Sequence, residues 1–245
     1  PLTKTEFVTG AESRKDTGEP TAPERAAPAN HQAFTCCFAI DYVAGEDHTI
    51  PKPAGYEFWR DYVPRMTPPW PGRLLSWHMS TPSDPAKVRP VGFNPAGPAK
   101  GGLNLWTYRR IADRANFTPG TYPGDVCLVN WPQNDYWLGN LFDTPDAAKH
   151  LAKAKELSLS LLYWMQTEAP RPDGGQGWKG LRLRPDVAGT EDGLAQAPYV
   201  RESRRIKAEF TVGEQHVGTE ARMKLTGQKK GEVTAEQFPD SVGIG

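Results

Sequence analysis

Apolar residues alternate with smaller or polar residues over positions 34–42. The apolar positions are Phe34, Cys36, Phe38, Ile40 and Tyr42. Because alternate side chains of a β-strand share one face, this pattern predicts a strand with one buried side. The same reasoning predicts further strands at about 73–79, 103–112, 125–130 and 180–184.

The clearest helix is predicted over about 145–168. Its apolar positions recur every three or four residues, which places them on one stripe of the helix surface. These positions are Leu151, Ala154, Leu157, Leu161, Leu162 and Met165. Thr144 suits the N-cap and Pro145 the first helical position. The pattern therefore predicts a core helix packed on a sheet, and a shorter helix is predicted around 56–63.

Several strands with one dominant long helix predict an α+β fold, with a mostly antiparallel sheet and long Pro- and Gly-rich loops. Gly and Pro number 24 each among 245 residues, which explains the loop content. Eight Trp, eight Tyr and nine Phe supply large apolar side chains for a folded core, so disorder is excluded as the general state.

Charge and cysteine content narrow the class of protein. Lys plus Arg and Asp plus Glu both number 29, which gives no indication of nucleic acid or an anionic membrane as a partner. No apolar run approaches the roughly 20 residues of a membrane span. The three cysteines, of which Cys36 and Cys37 are adjacent, form neither a disulfide framework nor a metal-binding pattern. Buried free thiols and a cytoplasmic location are therefore expected.

Known catalytic motifs are missing from the sequence. It contains no Gly-x-Gly-x-x-Gly, no P-loop, no His-Glu-x-x-His and no Gly-x-Ser-x-Gly, and its five histidines have no metal-ligand spacing. A metalloenzyme or a P-loop enzyme is therefore disfavoured, and no metal is expected.

The segment 130–137 concentrates amides, a carboxylate and aromatic rings directly after an apolar strand. Flat apolar walls with a few polar groups suit a polar organic substrate. The candidate substrate-binding residues here are Asn130, Gln133 and Asn134. The candidate catalytic residues are Asp135, Tyr136 and, far along the chain, His216. The alternative is a loop anchored by tryptophan, in which Asn and Asp cap the local backbone.

The segment 199–212 carries three arginines and a lysine in what is predicted to be one strand. In strand geometry Arg201 and Arg205 point to one side and Arg204 to the other, so guanidinium groups need partners on both faces. Arg201 and Arg204 are candidates for binding an anionic group of a substrate. Ion pairs that brace one part of the protein against another remain the alternative.

Several stretches of the sequence are similar to stretches of known proteins. They are 8–13 (VTGAES), 32–35 (QAFT), 104–110 (NLWTYRR), 130–137 (NWPQNDYW) and 199–206 (YVRESRRI). Together they resemble the FAD-dependent oxidoreductase family that includes proteins labelled xanthan-lyase-like, and the resemblance covers nearly the whole chain.

The resemblance implies a Rossmann-type flavin domain interrupted by a large substrate domain, and hydride transfer between a polar organic substrate and FAD. The family's glycine-rich fingerprint does not occur in these residues. We therefore expect a fragment that does not hold FAD tightly by itself, and whose partners are the substrate and flavin-binding segments of the same protein or of another chain. The expected division is a loop-rich exit from the flavin domain (1–33), a substrate or cap domain (34–212), and a polar tail with an incipient strand (213–245).

This hypothesis makes an expectation about the arginines: Arg201, Arg204 and Arg205 should have too few partners within the chain. Two other functions stay open. One is a non-catalytic carbohydrate- or ligand-binding β-rich domain, which the aromatic content favours. The other is a glycoside hydrolase, which requires two carboxylates facing each other across a cleft.

Overall fold

The computed structural model of the chain describes residues 3–66, 69–81, 84–98, 102–201, 204–235 and 238–242. The strands are β1 (Phe7–Val8), β2 (Phe34–Thr35), β3 (Phe38–Tyr42), β4 (His78–Thr81), β5 (Asp84–Pro90), β6 (Arg110–Ala112), β7 (Val126–Val129), β8 (Asp135–Tyr136), β9 (Leu181–Leu183), β10 (Tyr199–Val200), β11 (Arg205–Ile206), β12 (Thr234–Ala235) and β13 (Phe238–Val242). The helices are α1 (Arg14–Thr17), α2 (Tyr56–Asp61), α3 (Leu105–Tyr108), α4 (Ala147–Thr167), α5 (Pro185–Ala188), α6 (Glu214–Val217) and α7 (Thr219–Thr226), with short 3-10 turns at Arg114–Asn116 and Pro132–Asn134.

The chain forms two compact units. The central unit is Ala33–Val200, and the terminal unit combines Pro1–Gln32 with Arg201–Gly245. Helices and antiparallel strand pairs occur together, with one long helix, so the predicted α+β class is confirmed. The predicted roles of 1–33, 34–212 and 213–245 stay predictions. None of the helices in the described ranges is both long and apolar enough to cross a membrane.

Two antiparallel sheets organise the central unit. The larger has the strand order β6-β7-β3-β9, and the smaller has the order β10-β2-β8. The strand predicted over 34–42 is divided between them, because the ladder is interrupted at Cys36 and Cys37. As a result, one continuous stretch of chain joins the two sheets. The predicted strands at 125–130 and 180–184 are confirmed as β7 and β9.

Helix α4 carries the predicted apolar stripe into the core. Ala154, Leu157, Leu161 and Met165 are all fully buried. Helix α2 packs against it, with the rings of Tyr56 and Tyr163 in edge contact at 4.7 Å between centroids. The N-cap is Asp146 rather than the predicted Thr144, whose hydroxyl oxygen accepts a hydrogen bond from the Asp146 N–H at 3.2 Å.

Tryptophans form the centre of the central unit. Six of the eight are buried: Trp59, Trp77, Trp106, Trp131, Trp164 and Trp178. Trp77 stacks on Phe93 at 5.0 Å and lies 4.8 Å from the ring of Trp164. The remaining two, Trp70 and Trp137, are only partly buried. Most of the tryptophans are therefore core residues, and two indole rings stay partly accessible.

The strand predicted over 103–112 is wrong for its first half. Asn104 caps the short helix α3 there, since its side-chain oxygen accepts the Trp106 N–H at 3.1 Å. Leu105 and Trp106 are adjacent and both buried, which helical geometry permits and an alternating strand with one exposed face does not. Regular strand geometry starts at Arg110. The strand predicted at 73–79 likewise begins only at His78.

The arginine-rich segment is not one strand. Its start, β10, belongs to the central unit, whereas β11 pairs with β1 in the terminal unit. Glu202 and Ser203 lie outside the described residues. The segment predicted to be a polar tail contains helices α6 and α7 followed by the antiparallel pair β12–β13. The predicted closing strand is confirmed over Phe238–Val242, and positions 243–245 lie outside the described residues.

The three cysteines are free and buried, as predicted. Burial raises the pKa of the Cys36 thiol from 9.0 to about 11, an effect that the nearby Lys155 partly offsets. Burial also raises the pKa of Cys127. Because the thiolate is the reactive form, these thiols are inert in the folded protein near neutral pH.

We therefore expect iodoacetamide at about pH 8 to modify none of the three cysteines in the folded protein and all three in guanidinium chloride. Mass spectrometry of the intact chain counts the modifications. Rapid modification of the folded protein would contradict this burial.

The raised pKa of Cys36 also makes the stability of the fold depend on pH. The neutral thiol stabilises the folded state fully below pH 9, and this stabilisation is lost as pH rises through about 11.

Candidate functional site

A cavity of about 370 Å³ opens in the central unit. Three segments supply most of its walls: the proline-rich loop before β4, the start of β4, and the predicted site segment 130–137. The lining residues are Ala33, Pro64, Met66, Pro69, Trp70, Leu74, His78, Ser80, Pro132, Gln133, Asp135 and Trp137. Most of these side chains are apolar, which suits the burial of an organic ligand.

The site segment presents Pro132, Gln133, Asp135 and Trp137 to the cavity. Asn134 and Tyr136 are buried in the core. Along β8 the extended backbone turns Asp135 and Tyr136 to opposite faces, whereas Gln133 and Asn134 are divided by the preceding 3-10 turn. The predicted group of site residues is therefore split by geometry into a cavity set and a core set.

Asn134 belongs to the core set and holds the loop in place. Its side-chain oxygen accepts the Trp131 N–H at 3.0 Å, and its amide nitrogen donates to the Cys36 carbonyl at 3.4 Å. The same nitrogen lies 3.4 Å from the hydroxyl of Ser158 on α4, which itself donates to the Cys36 carbonyl at 2.7 Å. Asn134 thus links the loop, the sheet junction and the long helix.

Tyr136 also packs into the core. Its hydroxyl group hydrogen-bonds to Nδ1 of His150 at 2.9 Å, and its ring lies 5.3 Å from that of Phe34. Burial raises the pKa of the phenol. A neutral, packed tyrosine of this kind supports the wall behind the cavity and does not line it.

Gln133 lines the cavity with an amide that is held rigidly. Its nitrogen donates to the Ser76 carbonyl at 3.1 Å and to the His78 carbonyl at 2.8 Å. Its oxygen, Oε1, is buried and has no hydrogen-bond partner within the part of the chain that the structure describes. Because this oxygen has almost no accessible surface, it lies beneath the cavity wall.

Asp135 supplies a carboxylate to the same wall. Its Oδ1 accepts a hydrogen bond from the hydroxyl of Thr35, which lies directly opposite on β2. Thr35 is fully buried, so it fixes the orientation of the carboxylate. Asn130 is half-buried and does not line the cavity; its side-chain oxygen has no partner among the described residues.

Sequence reasoning missed His78, Ser80, Trp70 and the prolines of the facing wall. His78 and Ser80 lie two positions apart on β4 and are exposed. Their alternation was visible in the sequence. Nothing in the sequence indicated that β4 faces the segment 130–137, because the two are about fifty residues apart.

The other predicted site residues belong to the terminal unit and do not line this cavity. Nδ1 of His216 accepts the Gly213 N–H at 2.8 Å at the start of α6, and its ring lies 5.1 Å from that of Phe210. The Arg204 guanidinium lies over the ring of Phe7 at 5.2 Å. His216, Arg201 and Arg204 therefore belong to the terminal unit, whereas Gln133 and Asp135 belong to the central unit.

The expectation that the arginines have too few partners is wrong. Arg205 forms an ion pair with Glu12 at 2.9 Å and donates to the Gly10 carbonyl. Arg201 and Arg204 also have partners within the chain. Arg205 therefore forms an ion-pair brace, which links the two sequence segments of the terminal unit.

A second, more polar cavity of about 610 Å³ lies in the terminal unit. Its carboxylates serve the local backbone and neighbouring side chains. Glu19 accepts the Glu214 N–H at 2.8 Å, and Glu214 accepts the Thr21 N–H at 2.9 Å. Since these acids already have structural roles, the cavity of the central unit is the better candidate site.

The structural role of Asn134 can be tested by substitution. Replacing Asn134 with Ala leaves the buried Trp131 N–H without its acceptor, so we expect Asn134→Ala to lower the free energy of unfolding by about 1–3 kcal/mol. Urea unfolding measures this loss. The folded fraction should bind cavity ligands with unchanged affinity, and a selective loss of binding with full stability would place Asn134 in the site instead.

Comparison with known proteins agrees with the resemblance seen in the sequence. The family model described as FAD dependent oxidoreductase matches residues 1–245. No curated protein and no solved structure matches the chain. Since the family model covers the chain from end to end, the chain belongs to the FAD-dependent oxidoreductase family.

Proposed function

We propose that the central unit is the substrate-binding portion of a FAD-dependent oxidoreductase and that it holds a polar organic substrate in the 370 Å³ cavity. The observation that carries this proposal is the composition of one wall. Gln133 and Asp135 are polar groups with fixed orientations, and they lie among apolar and aromatic side chains. This is the usual composition of a small-molecule site.

Each lining group has a distinct role in the proposal. Trp70 and Trp137, the two tryptophans that are not fully buried, contact the apolar faces of the substrate. Gln133, whose amide nitrogen is held by two backbone carbonyls, shapes the wall beside them. Asp135, oriented by Thr35, accepts a proton from the substrate, and the exposed imidazole of His78 lines the same cavity as a second proton acceptor.

The described residues do not themselves fit FAD. A dinucleotide site uses a parallel strand, a glycine-rich turn and a helix whose N-terminus faces the pyrophosphate. In the described part of the chain the strand ladders are antiparallel, and the glycines that precede α6 and α7 follow neither a strand nor a parallel pair. We propose that flavin-binding segments of the same protein or of a partner chain hold the cofactor, whose chemistry is the acceptance of a hydride.

The alternative functions have less support. A carbohydrate-binding module that works by stacking needs aromatic rings arranged on an exposed face, whereas six of the eight tryptophans are buried. A glycoside hydrolase needs two facing carboxylates. Among the described residues that line the cavity, Asp135 is the single carboxylate.

Replacing Asp135 with Asn tests the proposed proton acceptor in the flavin-loaded protein. Asparagine keeps an oxygen for the Thr35 hydroxyl but cannot accept a proton. We expect Asp135→Asn to slow substrate-dependent bleaching of the flavin absorbance by on the order of 10²–10⁴.

The matched control is Asp192→Asn. Asp192 is a carboxylate of the same unit that pairs with Lys155 at 2.6 Å and does not line the cavity. Bleaching should proceed at the normal rate in this variant. Equal rates in the Asp135→Asn variant and the unmodified protein would exclude Asp135 as the proton acceptor.

A further inference from the structure

The cavity of the central unit offers a ligand a carboxylate that it can reach. Asp135 lines the cavity and is half-buried, so part of its surface is open to an occupant. Its Oδ1 accepts the Thr35 hydroxyl, and since a carboxylate has about four acceptor positions in all, this contact leaves room for a hydrogen bond from a ligand. An ionised carboxylate accepts hydrogen bonds and donates none. Asp135 therefore selects a ligand that brings donors.

Two potential donors of the lining are already committed to the backbone. The Gln133 amide nitrogen donates to two backbone carbonyls, at 3.1 and 2.8 Å. The Trp70 indole N–H donates to the Arg73 carbonyl at 3.4 Å. His78 and Ser80, the other polar side chains of the described lining, are exposed, so water competes for their hydrogen bonds. The lining is therefore poorly suited to a ligand that needs donors, such as a carboxylate.

The formal charges of the lining also favour a cation. No Lys or Arg occurs among the described residues that line the cavity, whereas Asp135 contributes a negative charge. His78 is the one residue of this described lining that can become positively charged, and because it is exposed, water solvates that charge. An anion in the cavity would meet a like charge, whereas an ammonium group would form a charge-assisted hydrogen bond with Asp135.

Two tryptophans supply surfaces that suit such a ligand. Trp70 and Trp137 line the cavity and are partly exposed, in contrast to the six buried tryptophans. The face of an indole ring attracts a cation, and it also packs against hydrocarbon. A neutral alcohol gains only the second contribution. A carboxylate together with aromatic rings therefore favours a charged amine over an alcohol with the same carbon skeleton.

We propose that the cavity binds an organic amine in its ammonium form, with the ammonium group donating to the Asp135 carboxylate and the carbon skeleton against Trp70 and Trp137. This inference rests on the proposed function, because it names the class of substrate for the same cavity. It also gives a source for the proton that Asp135 accepts. Transfer of one proton from the ammonium group to Asp135 leaves a neutral amine and a neutral carboxyl group.

Three compounds with one carbon skeleton test the class: cyclohexylmethylamine, cyclohexylmethanol and cyclohexanecarboxylate. Isothermal titration calorimetry with the full chain near neutral pH measures each affinity. We expect the amine to bind about tenfold more tightly than the alcohol, because a charge-assisted hydrogen bond is stronger than a neutral one, and the carboxylate to bind most weakly. Added salt should weaken binding of the amine and leave binding of the alcohol nearly unchanged, because salt screens a charge pair.

Three variants then assign the preference to particular residues. Asp135→Asn keeps an acceptor for the Thr35 hydroxyl and removes the charge, so the preference for the amine and its salt dependence should disappear. Asp192→Asn removes a carboxylate that pairs with Lys155 and does not line the cavity, so the preference should remain. Trp70→Leu keeps an apolar side chain and removes the aromatic face, so amine affinity should fall about threefold more than alcohol affinity.

The order of the three affinities separates the amine assignment from the proposed function. Tightest binding of the alcohol or the carboxylate would overturn the amine assignment and leave the cavity as a site for organic ligands. An unchanged preference in Asp135→Asn would overturn the role of Asp135. Failure of all three compounds to bind would contradict the cavity as a substrate site as well. Circular dichroism shows whether Asp135→Asn folds; if it does not, the affinities and salt dependence of the unmodified chain still decide the class.

Discussion

The buried side chain of Asn134 is the constraint on which the site depends. It joins the 3-10 turn before β8, the junction between the two sheets at Cys36, and Ser158 on the long helix. Because these partners are all buried, no water replaces the bonds if the loop moves. The positions of the turn and of β8 are thereby set, so that Gln133, Asp135 and Trp137 line the cavity.

This rigidity extends to the polar groups of the cavity. The Gln133 amide is fixed by two carbonyl acceptors, and Asp135 is fixed by a hydroxyl from the neighbouring strand. A ligand that enters the cavity would therefore meet groups already in position, which reduces the entropy lost on binding. Under the proposed function, the same property would hold the reacting carbon of the substrate in one place.

Periodicity in the sequence was enough to predict the α+β class, the long helix and the central strands, because burial alone determines those patterns. It failed where a side chain overrides the pattern. Asn104 caps a helix inside a segment that alternates like a strand, and the arginine-rich segment divides between two units. The Asn104 cap is local, since the N–H that it accepts is two residues along the chain, but the alternating pattern conceals it. The division of the arginine-rich segment depends on partner strands that are distant along the chain.

Only part of the candidate site could be predicted from the sequence. The composition of 130–137 located one wall, but residue type could not distinguish Asn134 from Gln133, both of which are amides in one short loop. The 3-10 turn over Pro132–Asn134 separates them, because it directs Asn134 into the core while Gln133 lines the cavity. The facing wall, with His78 and Trp70, required the tertiary fold.

A crystal structure of the chain soaked with cyclohexylmethanol, a small polar organic probe, tests the central claim most directly. The account predicts that the probe lies in the cavity, with its hydroxyl oxygen about 2.7–3.0 Å from a carboxylate oxygen of Asp135 and its ring against Trp70 and Trp137. A probe bound outside the cavity, or inside it with the hydroxyl group turned away from Asp135, would contradict the account.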